Sequence, residues 1–327
     1  MMISRKYKTA ECVTPKHPDK ICDTISDAIL DHCLGFDPDS RVAVETMGGH
    51  GEINVTGEIT TNADLPIEQI VRETYGKPVK VNVNVVKQSN FISQGVDTGG
   101  AGDQGIMVGY ACDDNPEMVP NELYLARQLC KQLYKVYPFD GKTQVTLCGN
   151  KIDSVVASFQ MAKTKDLEGY IKGWLRTVSF DTSETKIFAN PAGDWNLGGF
   201  DADAGLTGRK IVIDNYGPAI PVGGGAFSGK DPTKVDRSAA YMARRIAVDK
   251  LQTLNRRPEG NQVYVYLAYA IGHDQPVEAT MIVNGEEFPV TDYDLSPQGI
   301  INHLDLKKPK YLQTAAWGHM GTNQTWG

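Results

Sequence analysis

The run Val222–Ser238, reading VGGGAFSGKDPTKVDRS, constrains this chain more than any other segment. Its glycines free the backbone for positive φ and let a ligand or another strand come close to the main chain. Lys230, Lys234 and Arg237 follow, interleaved with Asp231 and Asp236, and from Ser238 to Leu251 the apolar residues recur at helical spacing. A glycine-rich turn that delivers Lys and Asp to a helix N-terminus suits a polyphosphate with its magnesium. The G-x-x-x-x-G-K-[ST] order of a Walker loop is absent. The alternative reading, a solvated surface turn, stays open on these residues alone.

The chain has 327 residues, enough for two or three domains. Its 33 Lys and Arg against 40 Asp and Glu give a net charge of −7. That balance speaks against a nucleic-acid or anionic-membrane surface, although it allows a local basic pocket. No long apolar run and no basic-then-apolar leader is visible, and the six cysteines form no C-x-x-C pair. The expectation is a cytoplasmic protein with reduced thiols.

Ile3 to Cys12 is mixed in character, and Pro15-Lys16-His17-Pro18-Asp19-Lys20 then breaks the chain before a helix from Ile21 to Leu34. That helix carries Asp23, Asp27 and Asp31 on the side opposite its apolar stripe. Asp19 reads as an N-cap and His17 as a turn residue, or both belong to a site with Lys20. Strands are expected at Arg41–Thr46, Ile53–Thr60, Val79–Val86, Ile106–Ala111, Thr143–Leu147, Val155–Met161, Ile211–Ile213 and Gln262–Ile271, with a hairpin over Thr280–Val290. Helices are expected at Pro66–Thr74, Pro120–Tyr137, Asp166–Leu175 and Ser296–Leu304. Gln88 to Gly105 is too rich in Gly, Asp and Gln to pack as an element. The order of elements predicts an α+β fold, with sheets covered by helices on one face and intertwined domains. Glu45 and Glu58, taken singly, read as solvent-facing strand carboxylates.

As an ordered set the motifs say more. His17-Pro18-Asp19-Lys20, Gly57-to-Thr61 (GEITT), Lys87-to-Ser89, Gly102-to-Gly105, Ala202-to-Lys210 and Gly223-to-Ser238 together resemble S-adenosylmethionine synthetases, over essentially the whole chain. The resemblance implies three domains, here 1–97, 98–197 and 198–327, each an α/β-sandwich-like unit in a pseudo-threefold relation. It also implies a homodimer with shared active sites, in many members paired into a tetramer. The implied partners are ATP and L-methionine, with two Mg²⁺ per site and K⁺. In the implied reaction the methionine sulfur attacks C5′ of ATP and expels tripolyphosphate, which is then hydrolysed to pyrophosphate and phosphate. A thioether has no proton to lose, so the first step needs charge stabilisation and orientation rather than a general base.

Carried over residue by residue, His17, Lys142, Arg209 and Lys230 are the expected catalytic groups, with His17 acting as an imidazolium beside the breaking C5′–O bond. Asp140, Trp195, Asp203, Lys210, Ala226 and Ile271 complete the nucleotide contacts. Glu58, Gln88, Asp103, Asp203 and Lys234 are expected to hold methionine. Asp19 and Asp236 are the expected Mg²⁺ ligands and Glu45 the K⁺ ligand. The chain departs from the family at Pro15-Lys16, which adds a positive charge beside His17. It departs again at Thr98–Ala101, a shortened gating loop that implies a more open methionine site tolerating bulkier S-alkyl homocysteines. Asp194-Trp195 replaces the usual Arg-Phe, placing an acid where a phosphate-facing cation is common. Two rivals remain: a polyphosphate hydrolase, which leaves Glu58, Gln88 and Lys234 without a role, and a non-catalytic nucleotide-binding subunit, which has no need of His17, Asp19, Lys230 and Asp236.

Overall fold

A computed structural model of the chain describes residues 6–88 and 99–327. Pro18 occupies the first turn of helix α1 (Pro18–Phe36), where a missing N–H costs nothing, and His17 is the N-cap. The helix therefore begins three residues earlier than its apolar period indicates, and it takes Asp19 and Lys20 into its first turn. Strand β1 (Tyr7–Val13) precedes it, in a segment with no strand signature of its own. The chain continues through β2 (Arg41–Gly49), β3 (Glu52–Thr60), α2 (Ile67–Tyr75), β4 (Lys80–Val86), β5 (Gly105–Cys112), α3 (Asn121–Val136), β6 (Gly141–Cys148), β7 (Lys151–Phe159), α4 (Thr164–Leu175) and β8 (Lys186–Ala189). A short strand β9 (Gly205–Leu206) leads to α5 (Ile211–Asp214), α6 (Val235–Gln252), β10 (Gln262–Tyr269), β11 (Glu278–Val283), β12 (Glu286–Pro289), α7 (Pro297–Leu304) and α8 (Tyr311–Thr314).

The described strands form three four-stranded sheets, ordered β1-β6-β7-β8, β4-β3-β2-β9 and β12-β11-β10-β5. In the first two, an antiparallel hairpin is followed by a helix and then by a strand parallel to the hairpin's second arm. The third sheet is antiparallel throughout. Each sheet borrows a strand from a distant part of the chain, so the fold is α+β and intertwined, as the element order predicts. Two cores result. The larger packs α1 and α6 against the sheets of β2–β3 and β5–β10, and the smaller packs α3 and α4 under β1, β6 and β7.

Ile211–Ile213 is a correction. Its β-branched run predicts a strand, but it forms one helical turn, with Asp214 N–H donating to the Lys210 carbonyl at 2.9 Å. On α1, the side opposite the apolar stripe is covered as well: Asp23 and Asp27 are fully buried and Asp31 is partly covered.

Candidate active site

The loop Gly205–Lys210 is pressed onto the start of α1. A Cβ on Gly205 would lie 2.2 Å from the Pro18 carbonyl carbon, so only glycine allows this approach. Asp19 Oδ1 accepts the Leu206 N–H at 3.0 Å, and Asp19 Oδ2 forms an ion pair with Lys210 Nζ. Arg209 Nε lies 3.6 Å from Asp19 Oδ1. Burial alone would raise the Asp19 carboxyl, but the hydrogen bonds from Lys210 and Leu206 outweigh it and hold it below the usual range.

His17 Nδ1 accepts the Asp19 N–H at 3.2 Å, which puts the ring proton on Nε2 in the neutral form. Burial, and then the positive charge of Lys210, lower the His17 pKa to about 4. The ring is therefore neutral at pH 7, not the imidazolium that the resemblance implies, and offers Nε2–H as a donor. Lys142 and Asp203 both act on this ring through their charge. Lys142 Nζ rests 3.4 Å from Glu11 on the neighbouring strand. Asp140 Oδ2 accepts the Gly199 N–H at 2.9 Å, and burial raises its carboxyl. His17, Asp19, Lys142, Asp203, Arg209 and Lys210 thus form one cluster, with Asp140 beside it.

A second cluster stands on the edge and the uncovered face of β2. Gly229 and Asp231 extend along that edge: Val44 N–H donates to the Gly229 carbonyl at 3.0 Å and Asp231 N–H to the Val42 carbonyl at 3.0 Å. Gly229 has φ 81°, and a Cβ there would meet the Val44 carbonyl oxygen at 2.0 Å. Lys230 is thereby fixed opposite Ala43. Ala43 pairs with Glu58 and Glu45 with Thr56 across the hairpin, so both glutamates share one face. Glu45, Glu58, Ala226, Ser228 and Lys230 line a cavity of about 300 Å³. Lys230 Nζ pairs with Asp236 Oδ2 at 2.6 Å, and Lys234 pairs with the buried Asp231. Ser228 Oγ is buried in the wall of this cavity with no hydrogen-bond partner among the described residues.

The remaining expected residues stand apart. Trp195 lies against Gly198, Ile271 is 60% exposed beyond β10, and Asp103 is exposed with its carboxylate on the Gln104 N–H. Gln88 follows β4, its N–H on Thr60 Oγ1 at 3.3 Å. Among the described residues no side-chain hydrogen bond or ion pair joins these four to either cluster. Of the Lys87–Ser89 motif and the shortened loop, Ser89 to Thr98 lie outside the described residues. Asp194 faces α4: its Oδ1 accepts the N–H and hydroxyl of Thr164 at 2.8 and 2.7 Å, and Lys163 lies 3.3 Å from Oδ2.

Motif reading assigned Asp19 but gave no role to Asp23, Asp27 or Asp31, the other carboxylates of α1. Four residues apart, Asp19, Asp23, Asp27 and Asp31 accept backbone N–H groups from segments remote in the chain: Leu206 and Gly208 of one loop, Gly229, and Lys310 to Leu312 at the start of α8. Asp27 also takes both arms of the Arg237 guanidinium. The i, i+4 spacing was visible in the sequence, but its partners are remote in the chain.

Models of the S-adenosylmethionine synthetase N-terminal, central and C-terminal domains match residues 5–89, 98–195 and 197–327. An S-adenosylmethionine synthase of Nocardia farcinica (strain IFM 10152) is 42% identical, over 96% of this chain and 92% of its own length. The alignment spans 377 positions, more than the chain has, so that relative carries segments missing here.

Proposed function

The chain belongs to the S-adenosylmethionine synthetase family and is a methionine adenosyltransferase, and from that premise we propose that its two charged clusters are complementary halves of one active site, contributed by two subunits. In the family's reaction methionine sulfur displaces the triphosphate from C5′ of ATP, and the tripolyphosphate is hydrolysed to pyrophosphate and phosphate. The observation that carries the two-subunit reading is the division itself. His17, Arg209 and Lys210 gather at the start of α1, whereas Glu45, Glu58 and Lys230 gather on the uncovered face of β2. A homodimer that pairs these faces completes the site, and tetramers follow from pairing dimers.

In this reading the His17 Nε2–H donates to the oxygen leaving C5′, while Arg209, Lys210, Lys142 and Lys230 face the triphosphate. Donors fixed in advance against developing charge lower the barrier without reorganising at the moment of reaction. Asp140, Asp203, Trp195, Ala226 and Ile271 hold the nucleoside. Glu58, Gln88, Asp103 and Lys234 hold the methionine amino and carboxylate groups, which keeps sulfur in line with C5′.

The family uses a divalent metal and K⁺. Among the described residues no three His, Cys, Asp or Glu side chains are placed so that together they could hold a metal ion. Single carboxylates, Asp19 in one cluster and Asp236 in the other, fit Mg²⁺ that takes its other ligands from phosphates and water. Glu45 and the unpartnered Ser228 Oγ, in one cavity, fit K⁺. Bound Mg²⁺ supplies charge neutralisation on the departing triphosphate. Among the described residues no helix is long and apolar enough to cross a membrane. A cytoplasmic location suits an enzyme whose substrates are ATP and methionine.

Subunit complementation tests the shared site. His17→Asn and Lys230→Met chains, each inactive alone, are co-expressed and the mixed dimer is purified. A shared site leaves one of its two sites with both native halves, so activity returns. A site built within one chain leaves the mixed dimer inactive.

A further inference from the structure

Lys20 carries a charge in a place where charges are rarely left without a reason. Its side chain is 1% exposed. Nζ donates to Asp23 Oδ2 at 3.0 Å and to Asp214 Oδ1 at 2.6 Å, and all three side chains are buried. Burial alone would lower the Lys20 pKa, but Asp214 and Asp23 outweigh it and keep the ammonium charged. A buried ionic cluster of this kind is poor evidence of stabilisation, because well-packed apolar residues serve equally well or better. Position supplies the reason.

Lys20 sits in the same helical turn as Asp19 and one turn from His17. Asp23 Oδ1 accepts the Gly208 N–H at 2.8 Å, immediately before Arg209 and Lys210. Asp214 ends α5, the turn that starts immediately after Lys210, and its carbonyl accepts the His319 N–H at 2.9 Å. The two cations are therefore held from both sides by groups that converge on one buried ammonium. Asp19 adds a third anchor at Leu206.

We infer that Lys20, Asp23 and Asp214 are positioning residues, a buried clamp that fixes Arg209 and Lys210 opposite His17 so that both cations meet the departing triphosphate in place. The inference rests on the reading of those cations as triphosphate contacts. A displacement of about 1 Å in such groups costs on the order of a hundredfold in rate, so the clamp acts on catalysis without touching substrate.

The test compares Asp23→Asn with Asp31→Asn. Both carboxylates lie on α1 and accept backbone N–H groups from a distant segment, but Asp31 serves residues 310–312, which belong to neither charged cluster. Melting temperature, the kcat and methionine KM of sulfonium formation, and calorimetric binding of inorganic tripolyphosphate are measured for each. Asp23→Asn is expected to lower kcat by about tenfold or more, with methionine KM within about twofold, and to weaken tripolyphosphate binding by about tenfold. Asp31→Asn is expected to lower the melting temperature and leave kcat and tripolyphosphate affinity at wild-type values. Native kcat and native tripolyphosphate affinity in folded Asp23→Asn would overturn the clamp. So would losses in both variants that simply follow their stability. If Asp23→Asn does not fold, Asp214→Asn carries the same expectations. Wild-type protein that binds tripolyphosphate but makes no sulfonium would instead overturn the functional reading, which separates the two failures.

Discussion

Arg237 and Asp27 meet in a two-point ion pair, 2.7 and 2.9 Å between their nitrogens and oxygens, with both side chains fully buried. The pair joins α6 to α1, and Arg237 also donates to the Lys230 carbonyl at 3.2 Å. Asp27 in turn accepts the Gly229 N–H at 2.8 Å. The glycine-rich segment is thus held on the helix that carries His17 and Asp19.

Breaking this pair leaves an uncompensated buried carboxylate. Arg237→Met is expected to cost about 3–5 kcal/mol of stability. Chemical denaturation followed by circular dichroism measures it. A loss below about 1 kcal/mol, the scale of a surface ion pair, would contradict the buried geometry.

His17→Asn removes the Nε2–H donor beside the leaving oxygen. It is expected to slow sulfonium formation by about 10²–10³-fold, the usual cost of losing one such donor. Hydrolysis of added tripolyphosphate does not break the C5′–O bond and is expected to change far less. Equal losses in the two assays would remove His17 from the role given to it.

Acid sensitivity follows from the same residue. The folded pKa of His17, about 4, lies below its ordinary value of 6.5, so the unfolded chain takes up the proton first. Its stabilising contribution is fully present above about pH 6.5 and is lost as the pH falls toward about 4. Asp214, pushed up to about 6 by burial, acts in the opposite sense, so the difference between variants is the useful quantity. The stability gap between wild type and His17→Asn is expected to shrink by on the order of 2–3 kcal/mol from pH 7 to pH 4. Denaturant melts at several pH values read it, and a constant gap would mean that His17 titrates normally.

Asp194 supplies the cap that α4 lacks from its own N-cap residue, Lys163. Asp194→Ala is expected to lower Tm by about 2–4 °C, as loss of a cap does in a chain of this size. ATP kinetics are expected to stay within about twofold of wild type. A large rise in the ATP KM would place this carboxylate in the nucleotide site after all.

Much of the site could be read from the sequence because its motifs are local. HPDK, DAGLTGRK and GGGAFSGKDPTKVDRS each keep their charged residues within a few positions of a glycine or a helix start, and the structure gathers His17, Asp19, Arg209 and Lys210 accordingly. What local patterns missed depends on partners far along the chain. Asp23 and Asp27 count as polar in any helical period, yet they are buried because backbone N–H groups of Gly208 and Gly229 come to them from 185 and 202 residues further along the chain. Strand β1 forms because β6 accepts it, from Tyr7 opposite Cys148 to Val13 opposite Lys142. Ile211–Ile213 has strand propensity but turns as a helix, where Ile213 reaches the core and Asp214 reaches Lys20. Propensity yields there to tertiary packing.

Product analysis tests the central claim most directly. Purified protein is incubated with ATP, methionine, Mg²⁺ and K⁺, beside a control without methionine, and S-adenosylmethionine, pyrophosphate and phosphate are quantified. A methionine adenosyltransferase forms equal amounts of all three, and only when methionine is present. ATP turnover without the sulfonium product would contradict the central claim and leave a polyphosphate hydrolase in its place.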